Sequence, residues 1–292
     1  MKTNILLLDS VADLDHLIGS AFGLSSDLGR SLKIAYIWDF VWSGGGEFAG
    51  TSSPEITPGI QFAQRKMEEE YHVAETRIKE VCARYLSEFS QSVAYQIDIS
   101  ISARWEYLQK ELKKADDVLL LMSNRNTYAE RSGGMINHAA LIEEIRCPVL
   151  LLPADRRFIS INSMVYAANY HPEDLEALHH LDRWMEKAEN ICLTVFHYTD
   201  KETFHEKLLW EGFKRLAADS VSNLSLRFLR QSSGDKTDAL LAAAQSDQTD
   251  LFIMLKEKKG FFSDLFTSSD TRYIMSRFNK PVLIYHQKTW SS

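Results

Sequence analysis

Two apolar stretches decide the fold of this chain, because the second repeats the first. Residues 118–122 (VLLLM) and residues 251–255 (LFIML) each follow an aspartate directly, and they lie 133 positions apart. Short, uninterrupted apolar runs of this kind are typical of parallel strands that are buried on both faces. At the same offset, Pro148 and the apolar run after it align with Pro281 and its apolar run. The sequence therefore predicts two copies of one unit.

A second offset aligns the beginnings of the two copies. Residues 6–9 (LLLD) match residues 166–169 (YAAN) at a distance of 160 positions. The difference between offsets of 160 and 133 gives the first copy 27 extra residues. They lie between the second and third predicted strands, where frequent glycine, serine and proline at residues 40–59 predict a loop. Loops this long are uncommon and are usually functional or mobile.

Helical patterns separate the apolar runs. Residues 67–89 carry apolar side chains every three or four positions, which predicts a long helix with one buried face. Residues 175–188 show the same spacing, and Pro172 with the two acids after it is typical of a helix start. Strands that alternate with helices indicate a parallel sheet with right-handed crossovers and helices on both faces.

We therefore predict an α/β fold with two similar doubly wound domains, each a five-stranded parallel sheet. The polar connection at residues 153–157 places the first domain at residues 1–155 and the second at residues 156–292. The length of 292 residues agrees with two domains of ordinary size.

Composition excludes several classes of protein. Hydrophobic residues make up 45% of the chain and charged residues 25%, which is typical of a globular protein. The net charge of −7 argues against binding to nucleic acid or to an anionic membrane. No apolar run approaches the ~18 residues that a membrane span needs, and the apolar run at residues 5–8 is too short for a signal peptide. Three cysteines without a CxxC pair favour a reducing compartment, so we expect a cytoplasmic protein.

Catalytic and metal-binding motifs are missing from the sequence. It has no glycine-rich dinucleotide motif after its first strand, no GxxxxGK[ST] loop, no GxSxG elbow and no HExxH motif. No set of acid, base and nucleophile is recognisable, so we assign no catalytic residue and no metal ligand.

The arrangement resembles the universal stress protein family in its tandem, two-domain form, over nearly the whole chain. The motifs that carry the resemblance are residues 5–9 (ILLLD), Asn137 before residues 141–142 (LI), 147–151 (CPVLL), 259–262 (KGFF), 265–266 (LF) and 280–284 (KPVLI). The resemblance implies the strand order 3-2-1-4-5 in each domain. It also implies that the two final strands, at residues 148–152 and 281–285, meet between the domains. The tandem chain then reproduces the family's dimer internally, and a further homodimer stays open.

Many members of that family bind ATP through the motif G-x2-G-x9-G-[ST], in which glycines let backbone amides approach phosphates. The four motif positions fall on Met122, Arg125, Met135 and Ile136 in the first domain, and on Leu255, Lys258, Ser268 and Ser269 in the second. No motif glycine is present in either, although Gly133 and Gly134 lie one or two positions early. We therefore predict weak or absent ATP binding, with the second domain as the better site.

Ligands of doubly wound sheets bind at the carboxyl ends of the strands, where the strand order reverses. Together with the resemblance, this rule nominates the candidate ligand-binding residues. Those in the first domain are Asp9, Asp39, Ser123, Arg125, Gly133, Gly134 and Asn137, and those in the second are Asn169, Tyr198, Lys256, Lys258, Ser268 and Ser269.

Each candidate has a structural alternative. Asp9 matches the family's adenine-side aspartate and Asn169 is its repeat counterpart, but both residue types are also good helix N-caps. Lys256 and Lys258 either attract a phosphate or belong to a solvated loop. An acid at Asp39 would oppose a nearby polyphosphate.

These observations predict a cytoplasmic stress-response protein of regulatory or ligand-binding type. No cofactor is assigned, and ATP or another adenine nucleotide is the candidate ligand. Two alternatives stay open: a nucleotide-binding enzyme with slow ATP hydrolysis, and a protein-interaction module that uses the loop at residues 40–59.

Overall fold

The computed structural model describes most of the chain. The described residues are 2–8, 10–38, 58–89, 93–102, 104–115, 117–124, 141–142, 144–158, 160–186, 190–246, 248–256 and 280–286. The strands are β1 (Lys2–Leu8), β2 (Ser31–Trp38), β3 (Tyr95–Ile101), β4 (Asp117–Ser123), β5 (Val149–Leu152), β6 (Ser163–Ala167), β7 (Cys192–Tyr198), β8 (Ser225–Gln231), β9 (Leu251–Lys256) and β10 (Val282–His286). The helices are α1 (Leu14–Asp27), α2 (Pro58–Glu88), α3 (Arg104–Leu112), α4 (Pro172–Trp184), α5 (Phe204–Ser220) and α6 (Lys236–Gln245).

All ten of these strands belong to one sheet with the order β3-β2-β1-β4-β5-β10-β9-β6-β7-β8. We call β1–β5 with their helices the first half and β6–β10 with theirs the second half. Read outward from the centre, each half has the same order, so the predicted order 3-2-1-4-5 and the α/β fold class are confirmed.

The two halves join through β5 and β10, which pair antiparallel, with Val282 opposite Leu151 and Ile284 opposite Val149. Every other strand pair in the described sheet is parallel. The strands of the two halves therefore run in opposite directions. As a result, the carboxyl edge of the second half lies at the same end of the sheet as the amino edge of the first.

Alternating side chains of the strands fill two core layers. In β1, Leu6 and Leu8 belong to the layer under α1, α2, α4 and α5, while Ile5 and Leu7 belong to the layer under α3 and α6. Each layer includes residues of both halves. Because both faces of the central strands are covered, their sequences are continuously apolar rather than alternating.

Three helix starts differ from the sequence interpretation. Helix α2 begins at Pro58, so the predicted loop at residues 40–59 ends earlier than expected; proline is well suited to the first turn of a helix, where no amide partner is lost. His171 occupies the N-cap position of α4, so the N-cap alternative for Asn169 is wrong. Asp13 occupies the N-cap position of α1, and Asp9 itself lies outside the described residues.

Within the described ranges, no helix combines the length and the apolar character that crossing a membrane requires. No group of three or more histidine, cysteine, aspartate or glutamate side chains that could hold a metal ion occurs in the same part of the chain.

Candidate functional site

Three of the predicted site residues, Tyr198, Asn169 and Lys256, lie at or just after strand ends at the carboxyl edge of the second half, and we call them the row. In the sheet register, Ala167 of β6 pairs with Phe196 of β7 and with Met254 of β9. Two residues beyond these pairs, Tyr198 ends β7 and Lys256 ends β9, and Asn169 lies two residues after the end of β6. The row continues in the outer strands, where Gln231 pairs with Tyr198 and His286 pairs with Lys256.

The middle of this row is the point where the strand order reverses. Strand β6 and the strands that follow it in the chain, β7 and β8, extend the sheet in one direction. Strand β9, on the other side of β6, is followed by β10 in the opposite direction. Crossovers that leave in opposite directions open a crevice between the two strand ends, which is where doubly wound proteins bind ligands. Asn169 and Lys256 stand on the two sides of that crevice.

A buried carboxylate fixes the loop that carries Asn169. Asp174, in the first turn of α4, is only 1% exposed. Its Oδ2 accepts hydrogen bonds from the backbone amides of Asn169 at 3.0 Å and of His171 at 2.9 Å, and its Oδ1 accepts one from the Tyr166 hydroxyl at 2.7 Å. Between them, Tyr170 adopts a left-handed backbone with φ of 62°. The loop is therefore held in one conformation before any ligand arrives.

Tyr198 is tied to the loop between β8 and α6. Its hydroxyl donates to the carbonyl of Gly234, which has a positive φ of 87°. Gln231 supports the same loop, since its Nε2 donates to the Ser233 carbonyl at 3.0 Å. Tyr198 is therefore held in place at the end of β7, where it packs against the core layer of α3 and α6.

His286 and Lys256 determine the charge at the β9–β10 end of the row. His286 is buried, and burial together with the charges of Lys256 and Arg146 lowers its pKa to about 3, so the imidazole is neutral near pH 7. The ammonium group of Lys256 is shielded from solvent. Lys256 thus brings a positive charge to the end of β9, beside a neutral histidine.

An aromatic cluster borders the row, and the sequence interpretation missed it. The rings of Tyr170 and His197 stack at 3.9 Å between centroids, and Trp210 and Phe213 of α5 pack against Tyr170. Nδ1 of His197 lies 2.7 Å from the Ala168 carbonyl. Burial lowers the pKa of His197 and raises that of Tyr170. The apolar spacing of Trp210 and Phe213 was a signal for a buried helix face, but their contact with a strand-end histidine depends on tertiary structure.

In the first half, the described residues at the ends of β4 and β5 contact each other. Ser123 ends β4, is buried, and pairs with Leu152 of β5. The next residue, Asn124, donates its amide to the Leu152 carbonyl at 2.8 Å and accepts the Ala154 amide on its Oδ1 at 3.3 Å. The other sequence-predicted candidates lie outside the described residues: Asp9, Asp39, Arg125, Gly133, Gly134, Asn137, Lys258, Ser268 and Ser269.

Similar folds occur in solved structures. A universal stress protein from Archaeoglobus fulgidus is 10% identical, with a TM-score of 0.64 over 98% of this chain and 96% of that one. A protein of unknown function from Pseudomonas aeruginosa is 10% identical, with a TM-score of 0.56 over 98% and 92%. The cytoplasmic domain of a prokaryotic cation chloride cotransporter is 12% identical, with a TM-score of 0.54 over 97% and 95%.

In sequence, no protein-family model and no curated protein matches the chain. The structural likeness is therefore a likeness of fold. The chain has the doubly wound α/β fold of universal stress proteins, over a length similar to that of the Archaeoglobus protein, and the resemblance seen in the sequence is confirmed at that level.

Proposed function

We propose that this chain is a regulatory, ligand-binding protein of the stress response that acts in the cytoplasm and takes an anionic ligand in the second half. The observation that carries the proposal is that Tyr198, Asn169 and Lys256 lie at or just after the ends of β7, β6 and β9, around the point where the strand order reverses. Universal stress proteins and a transporter domain share this fold, so the proposal depends on the crevice and not on the fold alone.

The proposed site supplies a positive charge and a hydrogen-bonding group for a small anion. Lys256 supplies positive charge, and the Asn169 amide supplies both a donor and an acceptor for a hydroxyl or amine. The amino end of α4 adds little attraction, because the carboxylates of Glu173 and Asp174 already lie in its first turn. Lys256 is therefore the residue on which the affinity depends most.

An adenine nucleotide is the ligand that we propose, with weak affinity for ATP. The motif's first glycine position is Met122 in the first half and Leu255 in the second, and both are strand residues buried to 1% exposure. A buried strand residue presents no backbone amide to a phosphate chain. Nucleotides with fewer phosphates, which need fewer such amides, fit the second half better than a triphosphate.

We also propose that residues 1–155 and 156–292 are two domains that pair through β5 and β10 in place of a dimer. Contacts of the connecting segment support this arrangement. The backbone amide of Phe158 donates to the Ser20 hydroxyl of α1 at 2.8 Å, and Arg157 lies over the Tyr85 ring of α2 at 5.0 Å. The connection is thus packed onto the first half and not extended between the halves.

Calorimetric titration with Mg-ATP and with AMP tests the proposed site. The wild-type chain should bind AMP more tightly than ATP, and Lys256→Ala should weaken AMP binding about tenfold or more through loss of the buried cation. Lys110→Ala, at an exposed position on α3, is the matched control and should bind as wild type does. A micromolar dissociation constant for ATP, or AMP binding that Lys256→Ala leaves unchanged, would contradict the proposal.

A further inference from the structure

Helix α5 turns an apolar surface to the solvent. Its inner face, with Trp210 and Phe213, packs on the core, while its outer face carries Phe204 at 83%, Leu208 at 61% and Leu216 at 53% exposure. Large apolar side chains that are exposed together on one helix are typical of an interaction surface. We call Phe204, Leu208, Leu209, Gly212 and Leu216 the α5 face.

Gly212 lies in the middle of the α5 face. A β-carbon placed on this glycine would have no atom within 4 Å, so nothing inside the chain requires glycine there. Glycine in the interior of a helix lowers helix stability relative to alanine. Its usefulness at this position is the close approach that it permits to another backbone.

In two antiparallel copies of α5 that cross at Gly212, complementary residues come to lie opposite each other. Leu208 and Leu216 lie four positions before and after the glycine, and His205 and Asp219 lie seven positions before and after it. When two copies of α5 cross antiparallel at Gly212, Leu208 of one copy meets Leu216 of the other, and His205 meets Asp219.

Charges on the flank of the face fit the same arrangement. Glu211 and Arg215 are both exposed and lie on one side of the apolar residues. In the antiparallel pair, Glu211 of one copy and Arg215 of the other are offset by two residues, about 3 Å along the axis, which the arginine side chain spans. Each such pair occurs twice, as a two-fold interface requires.

From these observations we propose that the α5 face binds a second copy of this chain, with the two α5 helices antiparallel and crossing at Gly212. The central edge of each sheet half is already occupied, because β5 and β10 pair with each other. A second copy must therefore use an outer surface. The 17 residues of α5 span about 25 Å, and a single helix pair of that length buries less area than a standard interface, so we expect the dimer at micromolar or higher concentration.

The counterpart helix of the first half provides a matched control. Helix α2 follows the second strand of its half, as α5 does, and its Val73 is 62% exposed, almost the same as Leu208. Most of the other exposed residues that the structure describes on α2 are charged or polar. Its surface therefore lacks the apolar continuity of the α5 face.

Sedimentation velocity of the full chain from about 1 µM to about 200 µM measures the dimer. The wild-type chain should shift from monomer to dimer across this range. Leu208→Glu should weaken dimerisation at least about tenfold, because it buries two unpaired carboxylates in one interface. Val73→Glu should leave the dimer unchanged, and both variants should keep the wild-type melting temperature, since both side chains are exposed.

Charge reversal tests the antiparallel geometry itself. Glu211→Arg and Arg215→Glu, each alone, place like charges against each other and should weaken the dimer. An equimolar mixture of the two variants restores opposite charges at both contacts and should recover dimer to near the wild-type level. A chain that stays monomeric over the whole range, a dimer unaffected by Leu208→Glu, or a mixture that fails to recover would each overturn the proposal.

Discussion

The two halves of this molecule have the same strand order but differ in the residues and contacts at the carboxyl ends of their strands. The described carboxyl edge of the first half is occupied by the protein's own contacts, since Asn124 holds both Leu152 and Ala154. In the second half, Tyr198 and Lys256 end the two strands beside β6, and Asn169 follows β6. The proposed function assigns a place for a ligand to this copy of the fold.

A second difference occurs at the opposite ends of the strands. Asp117 begins β4 and accepts two hydrogen bonds from the buried Arg30 guanidinium at 2.8 and 3.0 Å. Arg30 also lies 5.2 Å from the ring centre of Trp184 in the second half. The repeat counterpart, Asp250, accepts the backbone amides of Asn162 and Ser163, each at 2.9 Å. An ion pair in the first half corresponds to a backbone cap in the second.

The largest expected effect compares these two aspartates directly. Burial raises the pKa of Asp117, but the hydrogen bonds and charge of Arg30 outweigh burial and hold the pKa below its ordinary value. Asp117→Asn leaves a buried guanidinium without its counter-charge and should lower the free energy of unfolding by about 3 to 4 kcal/mol. Asp250→Asn removes only charge-assisted bonds to amides and should cost about 1 to 2 kcal/mol. Urea unfolding of both variants measures the difference, and equal losses would show that the two sites are equivalent.

The loop after the first strand of each half gives the next comparison. In the second half, Asp174 accepts three hydrogen bonds and fixes Asn169, whereas the matching position in the first half is Leu14. Asp174→Asn should lower the free energy of unfolding by about 2 to 3 kcal/mol, because two backbone amides lose a charged acceptor. Glu176→Gln, exposed on the same helix, is the control and should stay within about 0.5 kcal/mol of wild type. A loss no larger than that of the control would contradict the role assigned to Asp174.

Much of the fold could be predicted because the decisive signals are local. The apolar runs at residues 118–122 and 251–255 became β4 and β9, and the final strands begin and end within one residue of their predicted limits. Pro58 misled the interpretation, since proline marks both loops and first turns of helices.

The site was predictable only in outline. The rule that ligands bind where the strand order reverses, together with the family resemblance, nominated Asn169, Tyr198 and Lys256, which lie at or just after the ends of β6, β7 and β9. It could not nominate His286 or Asp174, because their importance comes from burial and from partners that are distant in the sequence. His286 reads as the polar end of a strand, and only its pairing with Lys256 identifies it as part of the row.

The last comparison is a dependence of stability on pH that belongs to the second half. His180 of α4 lies beside Trp184 and Tyr285, and burial lowers its pKa to about 4, with opposing influence from Asp117. The ordinary histidine pKa is 6.5, so His180 binds a proton below pH 6.5 in the unfolded chain. In the folded chain it binds the proton only near pH 4 and below. The free energy of unfolding should therefore fall by up to about 1.4 kcal/mol per pH unit for this residue between these limits.

Replacement of the histidine isolates that contribution from the rest of the molecule. His180→Gln removes the titrating group, so the loss of stability between pH 6.5 and pH 4 should become shallower by the contribution of one proton. His179→Gln, the exposed neighbour on the same helix, is the control and should keep the wild-type slope. The position that matches His180 in the first half is Ser20, whose hydroxyl accepts the Phe158 amide and does not titrate. Thermal or urea unfolding at several pH values measures the slopes, and identical slopes for the two variants would mean that His180 does not create the difference between the halves.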